Sequence, residues 1–316
     1  IMADVDILMA TYNGQNYICE QIKSLQAQSY ENWELLISDD CSSDNTLDIV
    51  SQFSEQDARI QIVSKGTRFG SAKSNFLYLL SQAKSPYVMF CDQDDVWLPN
   101  KIEISLDRIQ SIENSHESNV PCLVFTDMTV VDSDLNIIDD SFTSYSNINP
   151  LRTSFSHMLA QSVGAGCTMM INKAATDLAR IGGTNENIIM HDWWLCIICS
   201  AFGAIDYVDK STSLYRQHSA NDVGAIRFSL FCWAKKISTF KYRQAAISKQ
   251  AEYFEEVFNE LLSDNQRGIV KYCANACKGS PVQNFTNLIK SKAWKSGTRK
   301  IGQIIAVIDC GFHSNI

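Results

Sequence analysis

No run of about 18 consecutive apolar residues occurs in this chain, so nothing in it reads as a membrane-crossing helix. A secretory signal is also missing. The opening DVDILMATYNG begins with acids and is soon interrupted by polar residues. The first loop, TYNGQNY, holds one glycine and no Lys or Arg. It therefore lacks both the GxGxxG of a dinucleotide-binding turn and the basic, glycine-rich cradle of a triphosphate site. There are no internal repeats and no low-complexity linkers. The 11 cysteines are odd in number and sit in apolar runs such as WWLCIICSAF. That pattern fits buried, reduced thiols in the cytoplasm better than a disulfide framework. Cys196–Cys199 and Cys273–Cys277 have close spacings, but each lies in a helical stretch without a second half, which counts against zinc.

What is present is a core-forming chain of 316 residues, 45% hydrophobic. Residues 1–225 carry 13 Lys+Arg against 29 Asp+Glu, a net of −16, whereas residues 226–316 carry 14 against 6, a net of +8. An acidic body argues against nucleic acid as a partner. The basic, aromatic-rich tail is a candidate for an anionic surface such as the inner face of a membrane, or for packing on a domain or partner.

The first hundred residues alternate in type. DVDILMA, WELLIS, RIQIVS and PYVMFCD read as strands. YICEQIKSLQAQS, TLDIVSQFSEQ and SAKSNFLYLLSQAK read as the helices between them. Short β-α-β spacing implies right-handed crossovers and a mostly parallel sheet, whose ligands bind beyond the carboxyl ends of the strands. The polar clusters lie at those ends: TYN after the first strand, DDCSSD after the second and DQDD after the fourth. Beyond Pro99, a helix over NKIEISLDRIQSIE is expected to lead into strand, turn and strand over PCLVFTDMTVVDSDLNII. VGAGCTMMIN reads as a glycine-punctuated strand, MHDWWLCIICSAFG as a helix and AIDYVDKSTSLYRQH as a strand pair. The remainder reads as mostly helical. Three stretches follow, 1–98, 99–225 and 226–316.

MFCDQDDVW sets Asp92, Asp94 and Asp95 at the edge of an apolar strand, where like charges need a cation or solvent to offset them. A DxD alone is a common pair. With ATYNG, ISDDCSSDNT, FGSAKSNF, GCTMM, HDWW and YRQH in this order, the chain resembles the family 2 glycosyltransferases of the GT-A fold over about Val5 to His218. FCDQDDVW, MHDWWL and YRQH are most similar to the bacterial rhamnosyltransferase branch, which acts in cell-wall polysaccharide and O-antigen assembly.

The resemblance implies an α/β GT-A domain with a parallel central sheet, split into a nucleotide-sugar half (1–98) and an acceptor half (99–225) and followed by the basic helical region. It implies Mg2+ or Mn2+ at the donor diphosphate, with Asp94 as direct ligand, His218 completing the metal shell and Asp92 on ribose or metal-bound water. Asp40 would accept from a pyrimidine N3–H, with Thr11 and Tyr12 lining the base pocket. Arg216 would clamp the diphosphate, and Lys73 or Arg68 could touch the base or diphosphate. Asp192 falls on the catalytic base of a single, inverting displacement. Trp97, Gly166 and Trp193 are the candidates on the sugar and acceptor side. The implied donor is dTDP-L-rhamnose, with a UDP-hexose or UDP-galactofuranose as the alternative. The implied acceptor is a glycan on a polyprenyl diphosphate carrier, with peripheral attachment to the cytoplasmic face of the membrane. Self-association into a homo-oligomer is left open.

Overall fold

The computed structural model describes residues 3–116, 119–218 and 237–312. The alternation read from the sequence is present from the start. β1 (Val5–Thr11), α1 (Ile18–Gln26), β2 (Trp33–Asp39), α2 (Thr46–Gln56), β3 (Ile60–Ser64), α3 (Ala72–Gln82) and β4 (Tyr87–Cys91) follow one another. β5 (Val96–Trp97) and α4 (Lys101–Ser115) come next, then β6 (Cys122–Val131) and β7 (Ile137–Asp139). α5 (Phe142–Tyr145), α6 (Phe155–Ala160), β8 (Met169–Asn172), α7 (Lys173–Ile181), α8 (His191–Phe202) and β9 (Ala204–Arg216) complete the sheet-bearing part.

Among the described residues one sheet runs β3-β2-β1-β4-β8-β6-β9-β5, with β7 on the flank of β6. β3, β2, β1 and β4 are parallel, as are β6 and β9; β8 runs antiparallel between β4 and β6. Period-two alternation divides the core across this sheet. In β1, Ile7 and Met9 pack against Ile18 and Ile22 of α1, while Leu8 joins Phe76, Leu79 and Phe90 on the opposite face. Asp6 is kept in the buried sheet because its carboxylate accepts from Ser85 N (2.9 Å) and Ser85 Oγ (2.7 Å).

Register decides where the polar loops go. Thr11 stands opposite Asp39 and Met9 opposite Cys91, so the loops after β1, β2 and β4 leave from the same edge.

Two local expectations are corrected. AIDYVDKSTSLYR is one 13-residue strand rather than a pair. Asp-Lys-Ser-Thr offers no Gly or Asn for a tight hairpin, and the strand bends instead where its register against β6 shifts at Thr126–Thr129. In VGAGCTMMIN only Met169–Asn172 is strand; Gly166–Thr168 is a 3-10 turn.

Helices Ile237–Phe258, Asp264–Ala274, Pro281–Ser291 and Arg299–Phe312 pack on the sheet-bearing part, with Phe254 and Phe258 of the first against Trp194. Ser263–Gln266 and Ser280–Gln283 close capping boxes at two of their starts. Residues 219–236, which include part of the basic tail singled out above, lie outside the described residues. No helix among the described residues is long and apolar enough to cross a membrane.

Candidate active site

An open cleft of about 720 Å³ lies along the common strand edge, and Thr11, Tyr12, Asp40, Lys73, Asp92, Asp94, Gly166 and Asp192 all line it. Residues from four separate loops thus share one cavity.

At its β1–β2 end the two adjacent aspartates divide their work. Asp39 is fully buried and structural. It accepts from Thr11 Oγ1 (2.9 Å), Ser42 N (2.8 Å) and Ser42 Oγ (2.5 Å). Asp40 faces the cleft and accepts from Gly70 N (2.9 Å) and from Phe69 N. That ties the loop before α3 to the end of β2. A carboxylate has about four acceptor positions, so capacity remains for a ligand. Tyr12 is 55% exposed. Lys73 lines the cleft, but its ammonium donates to Ile188 O (2.7 Å) and Glu186 O (3.2 Å) and so pins the chain leading into α8.

Gln93, which the sequence reading passed over, joins two of the loops. It accepts from Tyr12 N (3.0 Å) and donates to Tyr12 O (2.9 Å). A Cβ on Gly14 would stand 2.3 Å from Gln93 Oε1, so a larger residue there would displace the Gln93 amide from Tyr12.

The acidic cluster has a depth order. Asp94 and Asp92 line the cleft, whereas Asp95 is fully buried. The Oδ1 of Asp95 accepts from Arg216 N (3.1 Å), and its Oδ2 has no partner among the described residues. Burial, with the charges of Asp92 and Asp94, pushes the Asp95 carboxyl well above the usual range; burial and Asp94 raise Asp92 as well. The offsetting cation within the protein is Lys101, fully buried in the first turn of α4. Its ammonium lies near Thr212 Oγ1 (3.3 Å) and Ser213 Oγ (3.4 Å), 4.7 Å above the Trp97 ring. A signal for it existed in the sequence: Lys101 falls on the apolar stripe of α4 with Ser105, Ile109 and Ile112.

Asp94 Oδ2 lies 2.7 Å from His218 Nε2, and Tyr17 stacks on the His218 ring at 4.7 Å. Two ligand atoms at right angles on an octahedral Mg2+ stand about 3 Å apart, so this pair is spaced to share one ion with little movement. Asp92, Asp95 and Cys167 also bring ligand atoms within 4.8 Å of one another. Burial and the two carboxylates push the Cys167 thiol far up. It stays protonated and is a poor ligand for a hard ion. The pair spaced for a divalent metal is therefore Asp94 and His218, at the edge of the cleft that Asp92 also lines.

Several expected contacts are placed elsewhere. Arg216 is buried behind the acidic loop, where its guanidinium donates to Asp94 O (2.8 Å), Ser133 O (2.6 Å) and Glu20 Oε2 (2.5 Å). It braces that loop from beneath. Trp97, 2% exposed, is core rather than a sugar platform, because the alternation of β5 turns it inward. Trp193 donates its indole N–H to Met158 O (2.5 Å) and does not line the cleft; Trp194 is wholly buried. His157 is half-buried between Ser154 and Arg152.

On the acceptor side, Asp192 opens α8 and is held from two directions. Its Oδ2 accepts from Gly166 N (3.0 Å) and its Oδ1 from Trp193 N (2.6 Å). Gly166 is required here, since a Cβ would meet His191 Nε2 at 2.8 Å. His191 lines the cleft and is stacked on Phe76 (4.3 Å) and close to Phe90 (5.0 Å), yet neither ring nitrogen has a partner among the described residues. Burial depresses its basicity, which keeps the ring neutral near pH 7.

The comparisons agree with this geometry. The family described as "Glycosyl transferase family 2" matches residues 6–173. "dTDP-rhamnosyl transferase RfbG" of Shigella flexneri is 31% identical over 269 residues, 79% of this chain and 82% of that protein. "UDP-Glc:alpha-D-GlcNAc-diphosphoundecaprenol beta-1,3-glucosyltransferase WfgD" of Escherichia coli is 39% identical over 102 residues, 32% of this chain and 39% of that protein. Among solved structures, S. aureus TarS 1-349 in complex with UDP superposes with a TM-score of 0.55 at 16% identity, covering 93% of each chain. Mannosyltransferase PcManGT from Pyrobaculum calidifontis, in complex with GDP-Man and Mn2+, does so at 0.53 and 14%, covering 100% of this chain and 87% of that one. The ordered motifs, the strand-edge cleft and these matches together make the chain a member of glycosyltransferase family 2, with the GT-A fold.

Proposed function

We propose that this enzyme is an inverting, divalent-metal-dependent transferase that moves L-rhamnose from dTDP-L-rhamnose to a hydroxyl of a lipid-linked precursor of a bacterial cell-surface polysaccharide. The observation that carries the chemistry is a single backbone-anchored carboxylate, Asp192, in the same cleft as the Asp92/Asp94 pair. One base and one metal-binding pair suit a single displacement. Asp192 takes the acceptor hydroxyl proton as oxygen attacks the anomeric carbon, and the configuration inverts. Asp94 and His218 would hold the ion, with Asp92 beside them, and the ion would supply countercharge to the diphosphate leaving group. Asp40 accepts from the pyrimidine N3–H, with Thr11 and Tyr12 beside the base. Gln93 keeps the base loop and the acidic loop in fixed relation.

The donor follows from the likeness to RfbG, whose name specifies dTDP-rhamnose. Asp40 cannot choose between thymine and uracil, which share the N3–H edge. The likeness to WfgD, named for UDP-Glc and a diphosphoundecaprenol acceptor, keeps a UDP-hexose as the second reading and supports a lipid diphosphate acceptor worked on at the cytoplasmic membrane face. The Mn2+ in the PcManGT complex supports the metal.

The test is nucleoside diphosphate release from dTDP-rhamnose, UDP-glucose, UDP-galactose and UDP-galactofuranose, each with Mn2+, Mg2+ or EDTA. Metal-dependent release from dTDP-rhamnose alone is expected. Release from a UDP-sugar instead replaces the donor, and undiminished release in EDTA refutes the metal.

A further inference from the structure

The segment that leads into Asp192 has no regular structure of its own. Residues 182–190 connect α7 to α8, and Ile188, Ile189 and Met190 belong to neither helix nor strand. Ile189, Met190, His191 and Asp192 nevertheless line the cleft one after another. An irregular stretch keeps a fixed path where other elements satisfy its backbone groups. Three such contacts are present. Tyr253 Oη donates to Gly182 O (2.7 Å), Lys73 Nζ donates to Ile188 O (2.7 Å), and Ile189 N donates to Gln250 Oε1 (2.7 Å).

Two of these contacts come from one face of the C-terminal helix Ile237–Phe258. Gln250, Tyr253 and Phe254 are spaced by three and four residues, so they share that face. The Tyr253 ring stacks on Trp194 (5.7 Å), and the Phe254 ring meets Trp194 edge-on (5.4 Å). The same face therefore holds both the first turn of α8 and the chain just before it. Gln250 is fully buried and does not line the cleft. Because the Ile189 N–H needs an oxygen, this bond fixes which way the amide points. The amide nitrogen has no partner among the described residues. Methionine would fill the same place without burying an unpaired amide nitrogen, so what the glutamine supplies is the oxygen. Ile189 stands three residues before Asp192, whose Oδ2 has to meet Gly166 N (3.0 Å) on a separate loop. A shift at Ile189 displaces the carboxylate from that loop.

We propose that Gln250 is a positioning residue for Asp192: through Ile189 N it sets where α8 begins, and so where the carboxylate stands in the cleft. The C-terminal helix thereby takes part in transfer without touching a substrate. The role in transfer rests on the reading of Asp192 as the base; the hold on the segment does not.

Three substitutions separate the oxygen from the bulk of the side chain. Gln250→Met removes the acceptor at similar size, Gln250→Asn withdraws it by one methylene, and Gln250→Glu leaves an oxygen within reach. Gln250→Asn serves where the Met variant does not fold. The first readout is amide hydrogen exchange of the full chain without ligand. The Met and Asn variants are expected to exchange about tenfold faster at Ile189 and in the first turn of α8, with the Glu variant close to wild type. The second readout is nucleoside diphosphate release with Mn2+ from whichever donor of the panel above wild type turns over fastest. The Met and Asn variants are expected to lose about tenfold to a hundredfold in kcat, the scale of an ångström-sized misplacement, with KM for the donor within about twofold. Gln250→Glu is expected to recover most of that loss. In an Asp192→Asn background, Gln250→Met should cost less than about twofold more, because both changes act through one carboxylate. Unchanged exchange at Ile189 overturns the hold on the segment. Unchanged kcat in the Met and Asn variants, or a loss that multiplies in full on top of Asp192→Asn, overturns the positioning role. Failure of the base reading looks different: Asp192→Asn alone then transfers at the wild-type rate, the positioning of a base falls with it, and the exchange result still decides whether Gln250 holds the segment.

Discussion

Replacing Asp192 with Asn tests the proposed chemistry at one atom. The amide is isosteric, and its remaining oxygen can accept from Gly166 N or from Trp193 N, which the carboxylate satisfies at 3.0 and 2.6 Å. It cannot take a proton. Loss of a positioned general base costs about 10²- to 10⁴-fold in rate, a rise of roughly 3–5 kcal/mol in the barrier. The structural cost is smaller: one backbone N–H loses a charged acceptor, about 1–2 kcal/mol locally. The nucleotide end of the cleft is held by Asp39, Asp40 and Gln93, none of which bonds Asp192. Donor binding should therefore stay within about twofold of wild type, by the arithmetic that relates affinity to free energy. Initial transfer rates at saturating donor, titration of the nucleotide diphosphate with Mn2+, and a melting curve separate the three quantities. Transfer by the Asn variant at a near wild-type rate would refute the base assignment. A collapse of donor binding with transfer would show that Asp192 organises the cleft instead.

Lys101→Met leaves the Asp92/Asp95 pair without its buried countercharge; an unfolding free energy lower by about 3–5 kcal/mol in denaturant titration is expected, and an unchanged midpoint would remove Lys101 from that role. His191→Phe fills the same slot beside Phe76 and Phe90 and breaks no protein hydrogen bond, so the melting temperature should hold or rise. Transfer should fall about fivefold to tenfold if a ring nitrogen meets the sugar or acceptor, and an unchanged rate would make the ring a packing residue only. Burial, with the nearby Arg243 and Arg299 guanidiniums, holds Lys295 at about 8 in the fold against 10.5 ordinarily, so between those values the unfolded chain holds a proton that the fold has released. Stability should rise with pH across that window, by up to about 2 kcal/mol for a half-exposed group. Lys295→Met should flatten the rise in denaturant midpoints, and a rise that survives the substitution would assign it to another group.

The features legible in the linear chain were those with local causes. Helix and strand alternation follows from apolar spacing. Asp192 lies at the start of its helix, and Asp39 and Asp40 directly follow an apolar run, so local pattern plus resemblance was enough to find them. At the site, the departures were matters of direction. Trp97 and Trp193 carry the same residue type whether they face a ligand or the core, and only the pleat of β5 and the packing of α6 against α8 turned them inward. Arg216 was expected at the ligand because guanidiniums suit diphosphates; the fold instead turns it to Asp94 O and Glu20, while Lys73 lines the cleft and also donates to Ile188 O. Gln93, Lys101 and the ring of His191 gain their importance from partners, or from a lack of partners, that lie far off in sequence. By itself the sequence determined the family, the order of strands and the acidic edge, because hydrophobic periodicity and motif order are properties of neighbours along the chain. Only the tertiary structure decided which carboxylates face the cleft and which cation is buried among them. Each of those depends on contacts between segments that register and packing bring together.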